Sequence, residues 1–123
     1  MIKSYLDPKT GIMYAKFKGN IYFNELLDHV TAQETRRHYP RKLKILSDAR
    51  QGQLQIKPKD FYIIRDQLAE TLKQFNVIYD AFMVSNTKDT ALSMLYMELI
   101  KLDNYYFKVF STEEAAMHWL MSK

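Results

Sequence analysis

There is no cysteine in this chain of 123 residues. That absence excludes structural disulfides, thiol nucleophiles, iron–sulfur clusters and cysteine zinc sites together, and it fits a reducing compartment. Glycine is nearly as scarce: Gly11, Gly19 and Gly52 are all there are, too few and too scattered for a loop that cradles phosphates. Proline also occurs only three times, and no linker, repeat or low-complexity tract can be drawn. No stretch approaches the ~20 continuous apolar residues of a membrane span, and the N-terminal residues 1–8 lack the apolar centre of a signal peptide. The histidines His29, His38 and His118 are not at metal-ligand spacing. These absences predict one cytoplasmic domain over residues 1–123, with no transmembrane segment, no metal and no cofactor.

What is present is an ordinary globular mixture, 47% hydrophobic and 26% charged. A chain of this length can bury roughly two-thirds of the surface its unfolded form exposes, so no covalent staple is needed. The formal net charge of +4 favours solubility and mildly favours anionic partners.

Residues 2–6 and 12–18 read as two strands around a turn, Asp7-Pro-Lys-Thr-Gly11, and the second strand alternates apolar and polar positions. Residues 22–38 carry Phe23, Leu26, Leu27 and Val30 at helical spacing. Arg36, Arg37 and His38 complement the C-terminal dipole of that helix, and Pro40 stops it. Residues 43–48 form a short strand and residues 50–58 a loop. Pro58 and Asp60 open a helix whose inner face holds Phe61, Ile64, Leu68, Leu72 and Phe75. Residues 79–84 and 105–110 are strands. Ser111 or Thr112 caps a last helix with Ala115, Ala116, Trp119 and Leu120 on its inner stripe. Between those strands, the helical run from Ala91 to Ile100 has only Ser93 and Glu98 as polar interruptions, so it is apolar nearly all round. The order is ββαβαβαβα: an α/β domain with a mixed five-stranded sheet opened by an antiparallel hairpin.

This order, with its landmarks, resembles the STAS-like superfamily and within it the SpoIIAA-like proteins, related in fold to CRAL-TRIO lipid-exchange domains. The stretches that carry the resemblance are the Gly11 turn, Phe17-Lys-Gly19, Leu46-Ser-Asp48 with Arg50, Ala81-Phe-Met-Val-Ser85, Thr90-Ala-Leu92, and the tail from Phe110 to Leu120. The resemblance implies four helices chiefly on one face of the sheet. In the anti-sigma-factor antagonists of that superfamily, a Ser after the central strand is phosphorylated. Here that place reads Asp48-Ala49-Arg50, and Ser47 precedes the acidic residue.

Several constellations have both a sharp and a plain reading. Asp48, Arg50, Ser85, Asn86 and Lys88, with Ser111 and Thr112, fall beyond the carboxyl ends of parallel strands, where an anion or an acidic partner loop could dock. The plain reading is that Ser85, Asn86 and Ser111 cap helices while Asp48 pairs with Arg50 or Lys88. The basic run at residues 36–44, with Tyr39 inside it, could meet nucleic acid or an anionic surface. It also spans a helix end where positive charge is favoured anyway, and nucleic acid is not the expected partner. Ser85 or Ser111, His118 and Asp48 make a hydrolase set only on paper, with no nucleophile elbow, so no enzyme is expected. Met94, Leu95, Tyr96 and Met97 are the expected partner or ligand surface, since Met adapts to varied partners and apolar ligands. The expectation is a non-catalytic STAS-like interaction or regulatory module that forms a homodimer or binds a protein partner. The alternative is a small carrier for an apolar or acyl ligand, which would need a cavity of about 300 Å³ or more.

Overall fold

A computed structural model describes residues 1–33 and 38–123; Arg36 and Arg37 lie outside the described residues. Five strands form one sheet in the order β1-β2-β3-β4-β5. They are β1 (Ile2–Leu6), β2 (Ile12–Tyr22), β3 (Lys42–Gln55), β4 (Val77–Met83) and β5 (Tyr105–Phe110). β1 runs antiparallel to β2, and the other neighbours are parallel. The helices are α1 (Phe23–Ala32), α2 (Phe61–Leu72), α3 (Thr87–Leu99) and α4 (Glu113–Met121), with a short 3₁₀ turn at Pro58–Asp60 before α2. The element order is the expected ββαβαβαβα.

The helices cover the two sheet faces unequally. Residues of α1, α2 and α3 pack with Met13, Ala15, Phe17, Ile45, Ile78 and Phe82 into the larger core. On the opposite face, α4 alone packs Ala116 and Leu120 onto Ile12, Leu46, Ala81 and Met83. The period-2 alternation of the strands divides those two sets. Thr112 caps α4 by accepting from the Ala115 N–H at 3.2 Å. Trp119, expected on the inner stripe, is only half-buried and meets Tyr79 edge-on, and Ala115 is exposed.

The central strands are longer than the sequence suggested. β2 continues past residue 18 to Tyr22, and β3 runs through the segment read as a loop, 50–55. The register Lys16↔Asp48 becomes Lys18↔Gln51, so β3 holds one extra residue there. That bulge resets which residues face inward: Ser47 and Ala49 are buried before it, Gly52 and Leu54 after it. Gly19 takes a φ of +73° opposite Gly52. A Cβ at Gly52 would stand 3.3 Å from both the Cβ and the carbonyl oxygen of Phe17. The bulge thus depends on glycine where two backbones approach closely.

Candidate functional site

A cavity of about 80 Å³ lies between the sheet and α1, α2 and α3. Its floor comes from inward-facing strand residues, among them Ser47 of β3 and Asp80 of β4. One Asp80 oxygen accepts from the Ser47 Oγ–H at 2.9 Å. Among the described residues, no cation pairs with Asp80. Burial pushes its carboxyl up to about 7, against the opposing hydrogen bond from Ser47. Tyr96 of α3 and Tyr105 of β5 join their hydroxyls at 3.1 Å, and burial raises both phenols above their ordinary value. Two further polar atoms at this cavity, Gln33 Oε1 and Ser93 Oγ, are buried without a hydrogen-bond partner among the described residues. Such groups are rare in native interiors.

The remaining wall is largely aromatic. Phe17 meets Phe82 at 5.4 Å between ring centroids, Phe82 meets Phe107 at 5.4 Å, Phe107 meets Tyr96 at 4.6 Å, and Tyr96 meets Phe61 at 5.3 Å. These rings connect the sheet to α2 and α3 without filling the space among them. The volume falls short of the ~300 Å³ at which drug-sized ligands are usually held, so an acyl chain has no room there.

The opposite face is built differently. Arg50 grips Asp48 with its Nε at 2.9 Å from Oδ1 and Nη2 at 3.0 Å from Oδ2. The Arg50 backbone N–H also donates to Oδ1 at 3.1 Å, and Lys16 Nζ stands 3.7 Å from Oδ2. The Arg50 hydrogen bond holds the Asp48 carboxyl below its ordinary range, with the charges of Arg50 and Lys16 adding to it. Because α4 covers only part of this face, an open groove of about 520 Å³ runs over β1 and β2, past Tyr5, Tyr14 and Lys16. Tyr5 and Tyr14 stack there with centroids 5.2 Å apart and planes 12° apart.

The residues expected at the strand-end rim separate. Asp48 and Arg50 sit within β3, not in a loop, and are spent on each other. Ser85 Oγ donates to the Arg50 carbonyl at 2.9 Å, so those two do lie together. Asn86 caps α3, accepting from the Asp89 N–H at 2.8 Å, and its amide donates to the Asp89 carboxylate at 3.0 Å. Asp89, which no sequence pattern singles out, is fully buried and also accepts from the Leu54 N–H at 3.3 Å. An internal carboxylate therefore already occupies the N-terminus of α3. Lys88 is exposed. Ser47 is buried against Asp80 and offers no accessible hydroxyl.

On α3, Met94 and Leu95 face solvent with 45% and 39% of their surface exposed, and Met97 is half-buried. Tyr96 does not belong with them: its ring points inward to Phe61 and Phe107. Of the hydrolase set, Ser85 is bonded to backbone, Asp48 is held by Arg50, and His118 is exposed on α4.

No family model matches the chain, and no curated protein matches it. A structural likeness decides the fold. An uncharacterized protein of the DUF3478 family from Shewanella loihica, described as having a SpoIIAA-like fold, superposes with a TM-score of 0.59 over 98% of this chain and 92% of that one, at 13% identity. The fold is SpoIIAA-like. At that identity the likeness concerns architecture alone. No helix among the described residues is long and apolar enough to cross a membrane.

Proposed function

We propose that this SpoIIAA-like chain is a non-catalytic, cytoplasmic STAS-like interaction module that pairs with a second copy of itself through the outer face of α3. The observation that supports this reading is the exposure of Met94 and Leu95, adjacent on a helix whose other side already packs on the sheet. Tyr62 and Ile63 are exposed on the first turn of α2, and the Phe61–Tyr96 contact ties that turn to α3. Large apolar side chains exposed together mark interfaces more often than chance, whereas single ones need no explanation. A second copy satisfies such a surface with a two-fold contact.

Native mass spectrometry tests the reading. The unaltered chain is expected as a dimer, and Met94→Glu with Leu95→Glu as a folded monomer with an unchanged circular dichroism spectrum. An unaltered chain that stays monomeric at micromolar concentration, or a double variant that stays dimeric, overturns it. The acyl-carrier alternative has less support, because the cavity beneath α1, α2 and α3 lacks the volume and the larger groove over β1 and β2 is lined by charged groups, Lys3, Lys16, Lys18, Asp48 and Glu113.

A further inference from the structure

We propose that the cavity beneath α1, α2 and α3 binds a small organic ammonium ion, with Asp80 as its counter-charge and the rings of Phe82, Tyr96, Tyr105 and Phe107 as its walls.

What the cavity lacks points to the charge of its ligand. An ionised carboxylate removed from water is stable only when a cation or several donors compensate it. Asp80 has one donor, the Ser47 hydroxyl, and no Lys or Arg among the described residues. Facing it are His29 from α1, Tyr96 from α3 and Tyr105 from β5, and the two phenols are tied to each other. The site is thus half of an ion pair in a space to which the described residues bring no cationic Lys or Arg partner. Burial, holding the carboxyl at about 7, is the cost of that missing charge.

The walls suit a cation as well. Aromatic faces carry the negative part of the ring quadrupole, and several rings around one carboxylate are the usual means of recognising alkylated ammonium groups. The unspent hydrogen-bonding capacity also agrees. Gln33 Oε1 can only accept and Ser93 Oγ can accept, each on a residue 4% or 3% exposed. An ammonium group offers N–H donors and no acceptor. A space of about 80 Å³ equals two or three water volumes at ~30 Å³ each, which fits a cation with a few carbon atoms and not a lipid.

The test is an NMR titration of the full chain at about pH 8 with propylammonium chloride and, in parallel, with 1-propanol, its neutral counterpart, at matched ionic strength. Saturable shifts at Phe82, Tyr96 and Phe107 are expected, with propylammonium binding about tenfold tighter than propanol or better. That preference is expected to disappear at about pH 5, where Asp80 is protonated. Asp80→Asn, which keeps an acceptor for Ser47, is expected to remove the preference at all pH values. Equal binding of the two probes would make the cavity a merely apolar site and overturn the proposal. Absence of saturable shifts with either would make it a hydrated void and overturn it equally. The pH comparison uses the unaltered chain, so the outcome does not depend on whether the variant folds.

Discussion

Asp48 and Asp80 lie on adjacent strands of one sheet and point to opposite faces, and their surroundings treat the same side chain in opposite ways. Asp48 faces the side that carries a single helix, where solvent reaches it and Arg50 and Lys16 surround it, and its carboxyl is held below the ordinary range. Asp80 faces the side that carries three helices, finds only the Ser47 hydroxyl, and is pushed up to about 7. The difference comes from coverage. Three helices keep most water from a carboxylate, and the described residues provide no charge in its place. One helix leaves the face open enough for long basic side chains to reach across from β2 and along β3. One face is therefore arranged for stability, and the other keeps an unmet electrostatic demand, which is where functional groups concentrate.

The sharpest way to break this contrast is Asp80→Asn. In the folded chain Asp80 keeps its proton up to about pH 7, whereas unfolded it loses the proton near 3.8. The folded state therefore binds the extra proton between those values. The contribution of Asp80 to stability is greatest below 3.8, falls as pH rises through that window, and levels off above about 7. Asparagine cannot ionise, so the stability of the variant relative to the unaltered chain should rise by up to about 4 kcal/mol between the two ends of the window, at 1.36 kcal/mol per pH unit. Denaturant melts at a series of pH values read this directly. Two curves that stay parallel would mean Asp80 is not buried as described.

A smaller effect comes from the tyrosine pair above it. Tyr96→Phe or Tyr105→Phe alone leaves the surviving hydroxyl buried without its partner, at a cost of about 1–3 kcal/mol. The double variant removes both polar groups and should cost less than the two single changes combined, a coupling of roughly 1 kcal/mol or more in a double-mutant cycle. Strict additivity would show that water already serves one of the hydroxyls.

Much of this architecture could be read from residue spacing. The Asp7–Gly11 turn, the inner face of α2 from Phe61 to Leu68 and the capped start of α4 all follow from local chemistry that acts within a few residues. Three features did not show. Arg50, Gln51 and Gly52 look like loop residues and hide the second half of β3, yet Gly52, Leu54 and Ile56 alternate with polar neighbours and carry a strand signal. The bulge at Lys16↔Asp48 shifts that alternation by one residue, and a shift of phase hides a period of two. Asp80 looks like an ordinary strand residue in the sequence. A lone carboxylate among Tyr79, Ala81 and Phe82, in a strand covered on both faces, was the available signal. Tyr96 reads as outward with Met94 and Leu95 because a helix apolar all round gives no phase; only the packing against Phe61 and Phe107 sets it.

The smallest effect is the one expected from Asp48, and it is informative because it is small. The ion group looks strong by count: a two-pronged contact from Arg50, a backbone N–H and a nearby lysine. But the Arg50 and Lys16 side chains are 36% and 51% exposed, and solvent screens most of what such groups gain. Asp48→Asn should therefore cost no more than about 1 kcal/mol near neutral pH. The sign with pH is opposite to that of Asp80. Asp48 is ionised more easily folded than unfolded, so its contribution is present above 3.8 and is lost as pH falls through the lowered folded value. The gap between variant and unaltered chain should close in acid, and it should shrink at high salt, while the Asp80 gap should respond less, because Asp80 lies on the more covered face. Should Asp48→Asn instead cost several kcal/mol and ignore salt, the open face would be acting as a buried one, and coverage by helices would not be what separates the two carboxylates.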